Sequence, residues 1–288
     1  MIVVTQGNTS FGRLVVRALL RRVPATDVAV TSPRPSDVAD LVTLGVEVRP
    51  EDFSDAASTA GIFRDAHRVL SNPPPGWHRT EETGAGATIA REALEAAITA
   101  QVPHVVHVGI ANVERTNLLW HDALEGLVRN GGVPFSILRL NLHTEAFLPA
   151  VELARRTHQL VCSFGDRTVA PASRLDYAEA VARVLTEDGP ADDVRTLTGF
   201  GLTSLGVASV FSEVVGHDIA LREVDGPQVE AELLSSGAAP EDAALLADLD
   251  AAAADGEFSP QTETLDSLLT HPHLRNVPAL LTAVGASR

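Results

Sequence analysis

The chain has 288 residues, of which 45% are hydrophobic, and it carries a formal net charge of −16. This charge repels nucleic acid and no basic run offsets it, which argues against a nucleic-acid-binding protein. All 22 basic residues are arginine. The absence of lysine excludes a Tyr-x-x-x-Lys dehydrogenase pair, a Schiff-base lysine and a phosphate-loop lysine.

The rest of the composition predicts a globular, cytoplasmic protein. No apolar run approaches the roughly 20 residues of a membrane span, and the start Met-Ile-Val-Val lacks the basic segment of an export signal. Cys162 is the only cysteine. It therefore excludes intrachain disulfides and cysteine-cluster metal sites, and we interpret it as a buried thiol.

The start of the chain predicts a strand, a tight turn and a helix in succession. Met1–Thr5 is a short apolar run typical of a strand buried on both faces, and apolar residues follow helical spacing from Arg13 onward. A strand that turns through a glycine-bearing loop into a helix opens a dinucleotide site, because the amides of the helix start face the pyrophosphate. The sequence therefore predicts an α/β fold with a doubly wound parallel sheet.

The loop resembles the T-G-A-T-G-x-x-G loop of the NmrA-like and quinone-reductase-like branch of the atypical short-chain dehydrogenases. Gln6 stands at the first glycine of that pattern and Thr9 at the second, while Gly12 keeps the third. The first two glycines permit the turn and the close approach to phosphate, so their replacement weakens the prediction of a bound dinucleotide. The resemblance implies that the cofactor-binding residues here are Gly7, Asn8, Thr9, Ser10, Phe11 and Gly12.

Two further strands are predicted beside this loop. The second strand spans Asp27–Thr31, and Arg34 after it favours NADPH, since an arginine at this strand end accepts the 2′-phosphate. A helix over Asp37–Leu44 and a third strand over Val46–Arg49 follow. The segments Leu-Gly-Val-Glu-Val and Glu-Asp-Phe-Ser-Asp resemble sequences of the same family. The resemblance implies that the pair Asp52–Phe53 lies near the adenine.

The fourth strand, His67–Leu70, ends at Ser71, which by the resemblance lines the cofactor. The proline run that comes next lacks amide donors, so this wall is stiff and binds phosphate poorly through its backbone. A long alanine-rich helix over Thr83–Ala100 and a fifth strand over Val105–Val108 follow. The order of elements continues the alternation of strand and helix.

Relatives carry Ser or Thr after the fifth strand, facing nicotinamide or substrate. This chain has Gly109 and Ile110 there, so the hydroxyl that serves catalysis in ordinary short-chain dehydrogenases is missing. The next helix opens around Arg115–Leu118 and carries Trp120 and His121, where relatives often show a histidine. We therefore expect the chemistry to depend on other side chains.

The sixth strand, Gly132–Arg139, is the most specific match and resembles the family's G-L-P-F-T-I-L-R. After it, His143 stands where relatives carry a tyrosine, and carboxyl ends of such strands face the ligand crevice. An unperturbed histidine pKa of about 6.5 suits proton transfer, so His121 and His143 are the candidate catalytic residues. The candidate substrate-binding residues are Gly109, Ile110, Trp120, Asn141 and Glu145.

Residues 1–150 are predicted to form the Rossmann-type domain and residues 151–288 a smaller α+β substrate-binding lobe, with a return to the first domain at about 168–200. The helix that Ser173 caps resembles the family's V-D-x-x-D-I-A-E-A. His271-Pro-His273 has no carboxylate cluster nearby, so we predict no metal site. The other predicted strands are Val161–Phe164, Arg167–Ala170, Asp193–Thr198 and Ile219–Val224, and the other predicted helices are Ser204–Val215, Pro227–Ser235 and Pro240–Asp255.

Three functions are compatible with these residues. The main hypothesis is a tailoring enzyme of bacterial aromatic polyketide metabolism that couples, cyclises or isomerises a quinonoid or aromatic small molecule by cofactor-independent proton transfer. The alternatives are an NAD(P)H-dependent quinone-type oxidoreductase and a non-catalytic NAD(P)-sensing regulator. The cofactor is accordingly none or NADP(H), and a homo-oligomer is left open.

Overall fold

The computed structural model describes residues 1–52, 61–73, 85–112, 119–260 and 264–270. The chain divides into two compact units. The first unit comprises Met1–Leu140 and Tyr177–Thr196, and the second comprises Asn141–Asp176 and Leu197–Arg288. No described helix combines the length and the apolarity that crossing a membrane requires.

The strands and helices alternate through the first half of the chain. The strands are β1 (Ile2–Val4), β2 (Val28–Ser32), β3 (Glu47–Pro50), β4 (Arg68–Ser71), β5 (Val105–Ile110), β6 (Phe135–Leu140), β7 (Gln159–Cys162), β8 (Asp193–Leu197) and β9 (Ala220–Glu223). The helices are α1 (Ser10–Leu19), α2 (Ala39–Thr43), α3 (Ala85–Thr99), α4 (Leu119–Asn130), α5 (Leu148–Thr157), α6 (Arg174–Thr186), α7 (Ser204–Val215), α8 (Val229–Ser235), α9 (Pro240–Ala254) and α10 (Thr264–Leu268).

The predicted fold class is confirmed. Among the described residues, seven strands form one sheet in the order β3-β2-β1-β4-β5-β6-β8, and the pairs from β3 to β6 are all parallel. This is the doubly wound order, which reverses direction between β1 and β4. The carboxyl ends of β1, β4 and β5 therefore lie at the switch point where such sheets bind ligands.

The sheet is stable because its central strands are apolar on both faces. On one face, Val3, Val69 and Val105 of neighbouring strands pack with Leu94 of α3 and Leu124 of α4. Burying each of these side chains contributes about 1.5–3 kcal/mol. The polar side chains of the same face lie near the carboxyl ends of the strands, where the candidate site is expected.

In the second unit, β7 and β9 form a parallel pair, and α5, α7, α8 and α9 belong to the same unit. One predicted strand is wrong: Arg167–Ala170 forms no strand, and only Val169 makes an isolated bridge, to Leu202. The predicted helix over Asp37–Leu44 is split into a 3-10 turn at Pro35–Val38 and α2. The predicted helix start at 115–118 lies outside the described residues.

Candidate functional site

The loop between β1 and α1 keeps the dinucleotide-type bend with only part of its glycines. Gln6 has φ +53°, the left-handed backbone that glycine adopts without strain. A Cβ on Gly7 would lie 2.6 Å from Cβ of Val30, and a Cβ on Gly12 would lie 2.6 Å from the carbonyl oxygen of Gln6. Gly7 and Gly12 are therefore required for the loop to lie against β2 and α1. Gln6, in contrast, has a side chain although its backbone is in a conformation that is strained for residues other than glycine.

The hydroxyl of Thr9 caps the N-terminus of α1. It donates to the carbonyl of Gln6 at 2.9 Å and accepts from the amide of Gly12 at 3.0 Å. The side-chain amide of Asn72, just after β4, donates to the same hydroxyl at 3.0 Å. Thr9 is thus an N-cap of the helix, a role for which threonine is favoured. Its side chain occupies part of the space where the family pattern has a bare backbone.

Four loop amides are already bonded within the protein: those of Gln6 and Gly7 to Thr31, that of Thr9 to Gln6, and that of Gly12 to Thr9. The first turn of α1 still carries no acidic residue, so the positive end of the helix dipole is not neutralised. Ser10 is exposed and Phe11 is buried at this end. Oδ1 of Asn8 is buried without a hydrogen-bond partner in the described part of the chain. A helix start without an acidic residue fits a diphosphate, whereas Oδ1 of Asn8 is an acceptor and would need a donor such as a hydroxyl.

At the end of β2, the loop meets a carboxylate that the sequence analysis did not single out. The hydroxyl of Thr31 accepts from the Gln6 amide at 3.0 Å and donates to Oε1 of Glu51 at 3.0 Å. Burial raises the pKa of the Glu51 carboxyl, and hydrogen bonds from Thr31 and the Gln6 backbone oppose that rise. Arg34, expected to bind a 2′-phosphate, is 78% exposed and pairs with Asp37 at 3.0 Å.

A buried ion pair lies at the end of β5. Glu125 of α4 has a 2% exposed side chain and binds the guanidinium of Arg139 on β6 at 2.8–3.2 Å. A Cβ on Gly109 would lie 2.6 Å from Oε1 of Glu125. The carboxylate therefore fills the position of the missing Ser or Thr side chain, which explains why residue 109 is glycine. Ile110, the last residue of β5, is half-buried.

Near this pair lie two buried imidazoles, those of His107 on β5 and His121 on α4. Nδ1 of His107 is 3.0 Å from the hydroxyl of Ser71, so that the hydroxyl expected to contact the cofactor is engaged within the sheet. Nε2 of His107 and Nδ1 of His121 are buried without hydrogen-bond partners among the described residues. The ring of Trp120 lies against that of His121, with centroids 3.6 Å apart.

Burial lowers the pKa of both histidines to about 3, with the charge of His121 as a second cause at His107. His121 is thus uncharged at neutral pH. The argument from an unperturbed pKa of about 6.5 does not hold for it, and any proton transfer would start from the neutral ring.

In the second unit, the chain from Asn141 to Glu145 runs along the segment before α6. His143 forms a parallel bridge with Ala172, and both carboxylate oxygens of Glu145 accept from the Arg174 amide at 3.1 Å. Burial, and then the charge of Arg174, lowers the pKa of His143 to about 3, whereas burial raises that of Glu145. These two candidates are brought together on one segment.

The amide of Asn141 is engaged in holding the chain of the second unit. Its Nδ2 donates to the carbonyl of Phe258 at 3.1 Å, and its Oδ1 accepts from the Leu142 amide at 2.7 Å. Both polar ends of this side chain therefore have partners inside the unit. The predicted contact of Asn141 with substrate stays a prediction.

An apolar cavity of about 50 Å³ lies inside the second unit, with Phe147, Val161 and Leu249 in its wall. Among its described lining residues, Asp250 provides a carboxylate that accepts from the amide of Ser163 at 2.8 Å and from the hydroxyl of the same residue. Cys162 also lines it, and burial raises the pKa of this thiol to about 12. The cysteine is free and buried, as predicted.

The described residues contain no cluster of three metal-binding side chains. Phe53, the prolines after Pro73, and His271 and His273 belong to predictions that lie outside the described residues.

The close packing around Gly7 predicts that a side chain at this position destabilises the fold. Gly7→Ala should lower the free energy of unfolding by about 1–3 kcal/mol, because its Cβ meets Val30 in a packed core. The matched control is Gly126→Ala in α4, where nothing lies within 4 Å of the added Cβ, and where alanine should stabilise the helix by about 0.5–1 kcal/mol. Urea unfolding of both variants checks this. Equal effects of the two substitutions would contradict the close contact.

No profile of a known protein family matches the chain. Quinone oxidoreductase 2 of Escherichia coli K12 is 26% identical over 278 residues, which span 94% of each chain. The crystal structure of the E. coli NADPH-dependent quinone oxidoreductase with NADPH has a TM-score of 0.84 at 24% identity, covering 99% of this chain and all of the other.

The Citrobacter sp. triphenylmethane reductase with NADP(H) has a TM-score of 0.85 at 25% identity, covering 98% of this chain and 99% of the other. These similarities cover nearly the whole chain and therefore both units. Together with the sequence relative and the doubly wound sheet, they agree with the resemblance to the NmrA-like, quinone-oxidoreductase-like branch of the atypical short-chain dehydrogenases.

Proposed function

We propose that the chain is a nicotinamide-dependent reductase of quinonoid or related aromatic small molecules. The observation that carries this proposal is the similarity to a quinone oxidoreductase along 94% of both chains. It supports the reductase alternative better than cofactor-independent tailoring chemistry. The loop is compatible with it, because Gly7 and Gly12 preserve the bend and the helix start carries no acid.

In this proposal, a bound reduced nicotinamide would supply a hydride and be left oxidised, and a proton from solvent would complete the hydroquinone. The start of α1, at Ser10 and Phe11, would hold the diphosphate through backbone amides and the helix dipole. A quinone is already electrophilic, so its reduction needs little acid–base help from side chains. This agrees with a glycine at position 109 and with uncharged imidazoles at His121 and His143.

A cofactor-independent enzyme remains the second candidate because of one specific observation. The amides of Gln6, Gly7, Thr9 and Gly12 are satisfied inside the protein, which leaves fewer donors for a diphosphate than a glycine-only loop would. In that case the neutral histidines would move protons on a quinonoid substrate. Nucleotide binding separates the two functions.

The experiment follows nicotinamide oxidation with menadione as acceptor, alongside a nicotinamide fluorescence titration without acceptor. We expect turnover and binding at micromolar nucleotide. Ser10→Glu should weaken binding by about tenfold or more, since it places a negative charge where the diphosphate lies, yet it should not destabilise α1, whose N-terminus favours acids. Ser10→Gln, of similar size without charge, controls for bulk.

Absence of binding at millimolar nucleotide would contradict the reductase proposal. Equal binding by the Glu and Gln variants of Ser10 would show that the diphosphate lies elsewhere. In either case, conversion of a quinonoid substrate without nucleotide would support the second candidate.

A further inference from the structure

Glu51 follows β3 in the chain, but its carboxylate lies beside the end of the neighbouring strand β2. Its Oε1 accepts a hydrogen bond from the hydroxyl of Thr31 at 3.0 Å, and that hydroxyl accepts one from the Gln6 amide at 3.0 Å. The carboxylate thus lies at the junction of the loop and the second strand. Its other oxygen, Oε2, is buried and has no hydrogen-bond partner within the described part of the chain.

In dinucleotide folds, the group at this strand end discriminates between the two nicotinamide nucleotides. An acid accepts hydrogen bonds from the ribose hydroxyls of NAD(H), whereas an arginine accommodates the 2′-phosphate of NADP(H). Here the acid comes from the neighbouring strand, which explains why the sequence around Arg34 gave no sign of it. Thr31 occupies one carboxylate oxygen and leaves the other for a ribose hydroxyl.

The nearby arginines do not counter this charge. Arg34 is 78% exposed and pairs with Asp37, and Arg13 of α1 pairs with Asp40. Each of these two guanidinium groups is therefore already matched by a carboxylate on the segment after β2. With Glu51 added, the described groups at this strand end give no excess positive charge that could neutralise a 2′-phosphate.

We propose that Glu51 makes this chain select NADH over NADPH, by accepting a ribose hydroxyl at Oε2 and repelling a 2′-phosphate. The inference rests on the proposed nicotinamide-dependent function and differs from it in naming the nucleotide. It also differs from the preference that Arg34 predicts from the sequence. The solved relatives described above carry NADPH or NADP(H), so the selection distinguishes this chain from them.

The test measures the dissociation constants of NADH and NADPH for the whole chain by nicotinamide fluorescence, with no acceptor present. We expect NADH to bind at least roughly tenfold more tightly, because like charges placed together oppose binding. Glu51→Gln keeps the hydrogen bond from Thr31 and removes the charge, so it should weaken NADH, strengthen NADPH and bring the two constants within about threefold.

The control variant is Asp37→Asn, which releases Arg34 and leaves Glu51 in place. It should strengthen NADPH binding by a few-fold and leave NADH binding nearly unchanged. Thermal unfolding of each variant shows that the fold is intact.

Tighter binding of NADPH than of NADH by the unmodified chain would overturn the selection by Glu51 and leave the reductase proposal standing. An unchanged ratio in Glu51→Gln would likewise overturn it. Binding of neither nucleotide would overturn the reductase proposal itself and the inference with it.

Discussion

Replacing Arg139 with methionine is expected to lower the free energy of unfolding by about 3–5 kcal/mol, because it leaves a buried carboxylate without its main partner. The side chain of Glu125 is 2% exposed and that of Arg139 is 19% exposed, so neither charge is well solvated. Their contact through two guanidinium nitrogens is the strong form of an ion pair. Within the described part of the chain, Arg129 also pairs with Glu125, but only at 3.5 Å.

The double variant Glu125→Met with Arg139→Met distinguishes the effect of the ion pair from the effect of the volume that its side chains fill. Apolar residues of similar volume often replace a buried ion pair without loss, so the double variant should regain most of the stability that Arg139→Met loses. Arg129→Met serves as the control and should cost less than about 1 kcal/mol, since its side chain is 42% exposed. Urea unfolding followed by circular dichroism measures all three. If Arg139→Met lowered the free energy of unfolding no more than Arg129→Met does, the ion pair would not have the role described.

The strands and helices could largely be predicted because they follow from local patterns. The strand at β1 is a continuous apolar run buried on both faces, and the helix α7 was predicted with its observed ends. Thr203 caps the start of that helix, since its hydroxyl accepts from the Gly206 amide, and Gly216 with φ +81° caps its end. Both signals lie next to the helix in the sequence, so no tertiary information is needed.

The error at Arg167–Ala170 has a tertiary cause. Val169 bonds to Leu202 and the Ala170 amide bonds to the carbonyl of Phe258, so the backbone of this segment bonds to residues that are distant in the sequence. Hydrophobicity alone cannot distinguish such a segment from a strand.

The candidate site could be predicted only where it is continuous in sequence. The altered loop positions Gln6 and Thr9 are evident from the resemblance to the family's glycine loop, and the structure shows the left-handed backbone of the first and the capping hydroxyl of the second. Glu125 and Arg139 were not recognised as a pair, because their contact depends on how α4 packs on the sheet. One signal was present in the sequence: an arginine near the end of a buried strand needs a carboxylate partner, and Gly109 leaves room for one.

The histidines illustrate a second limit of sequence reasoning. His107 lies inside the apolar run of β5 and its cross-strand neighbour is Ser71, a pairing that depends on the register between β4 and β5. The sequence favoured His121 as a proton carrier because of its intrinsic pKa, yet its environment determines the actual pKa. Burial is a property of the folded chain, and here it reverses the expected charge state.

Acidification is expected to destabilise the fold through these same histidines. His107 and His121 have pKa values of about 3 in the folded chain, against about 6.5 when unfolded. Below pH 6.5 the unfolded chain therefore binds protons that the folded chain does not, so stability falls as the pH falls. The loss amounts to about 1.4 kcal/mol per pH unit for each histidine, or about 3 kcal/mol each at about pH 4.5, and it stops growing near pH 3.

The test compares the pH dependence of the unfolding free energy in the unmodified chain, His107→Gln and His121→Gln. Carboxyl groups with raised pKa values, such as Glu51 and Asp250, act in the opposite direction, but they contribute equally to all three proteins. The difference in slope below pH 6.5 therefore isolates one histidine, and each variant should show a slope smaller by about one proton, whatever its stability at neutral pH. Above about pH 7.5 the three slopes should coincide, because the imidazoles are then uncharged in both states. Identical slopes at every pH would mean that the rings are protonated as easily in the folded chain as in the unfolded one, and His121 would then regain the charge that a proton donor requires.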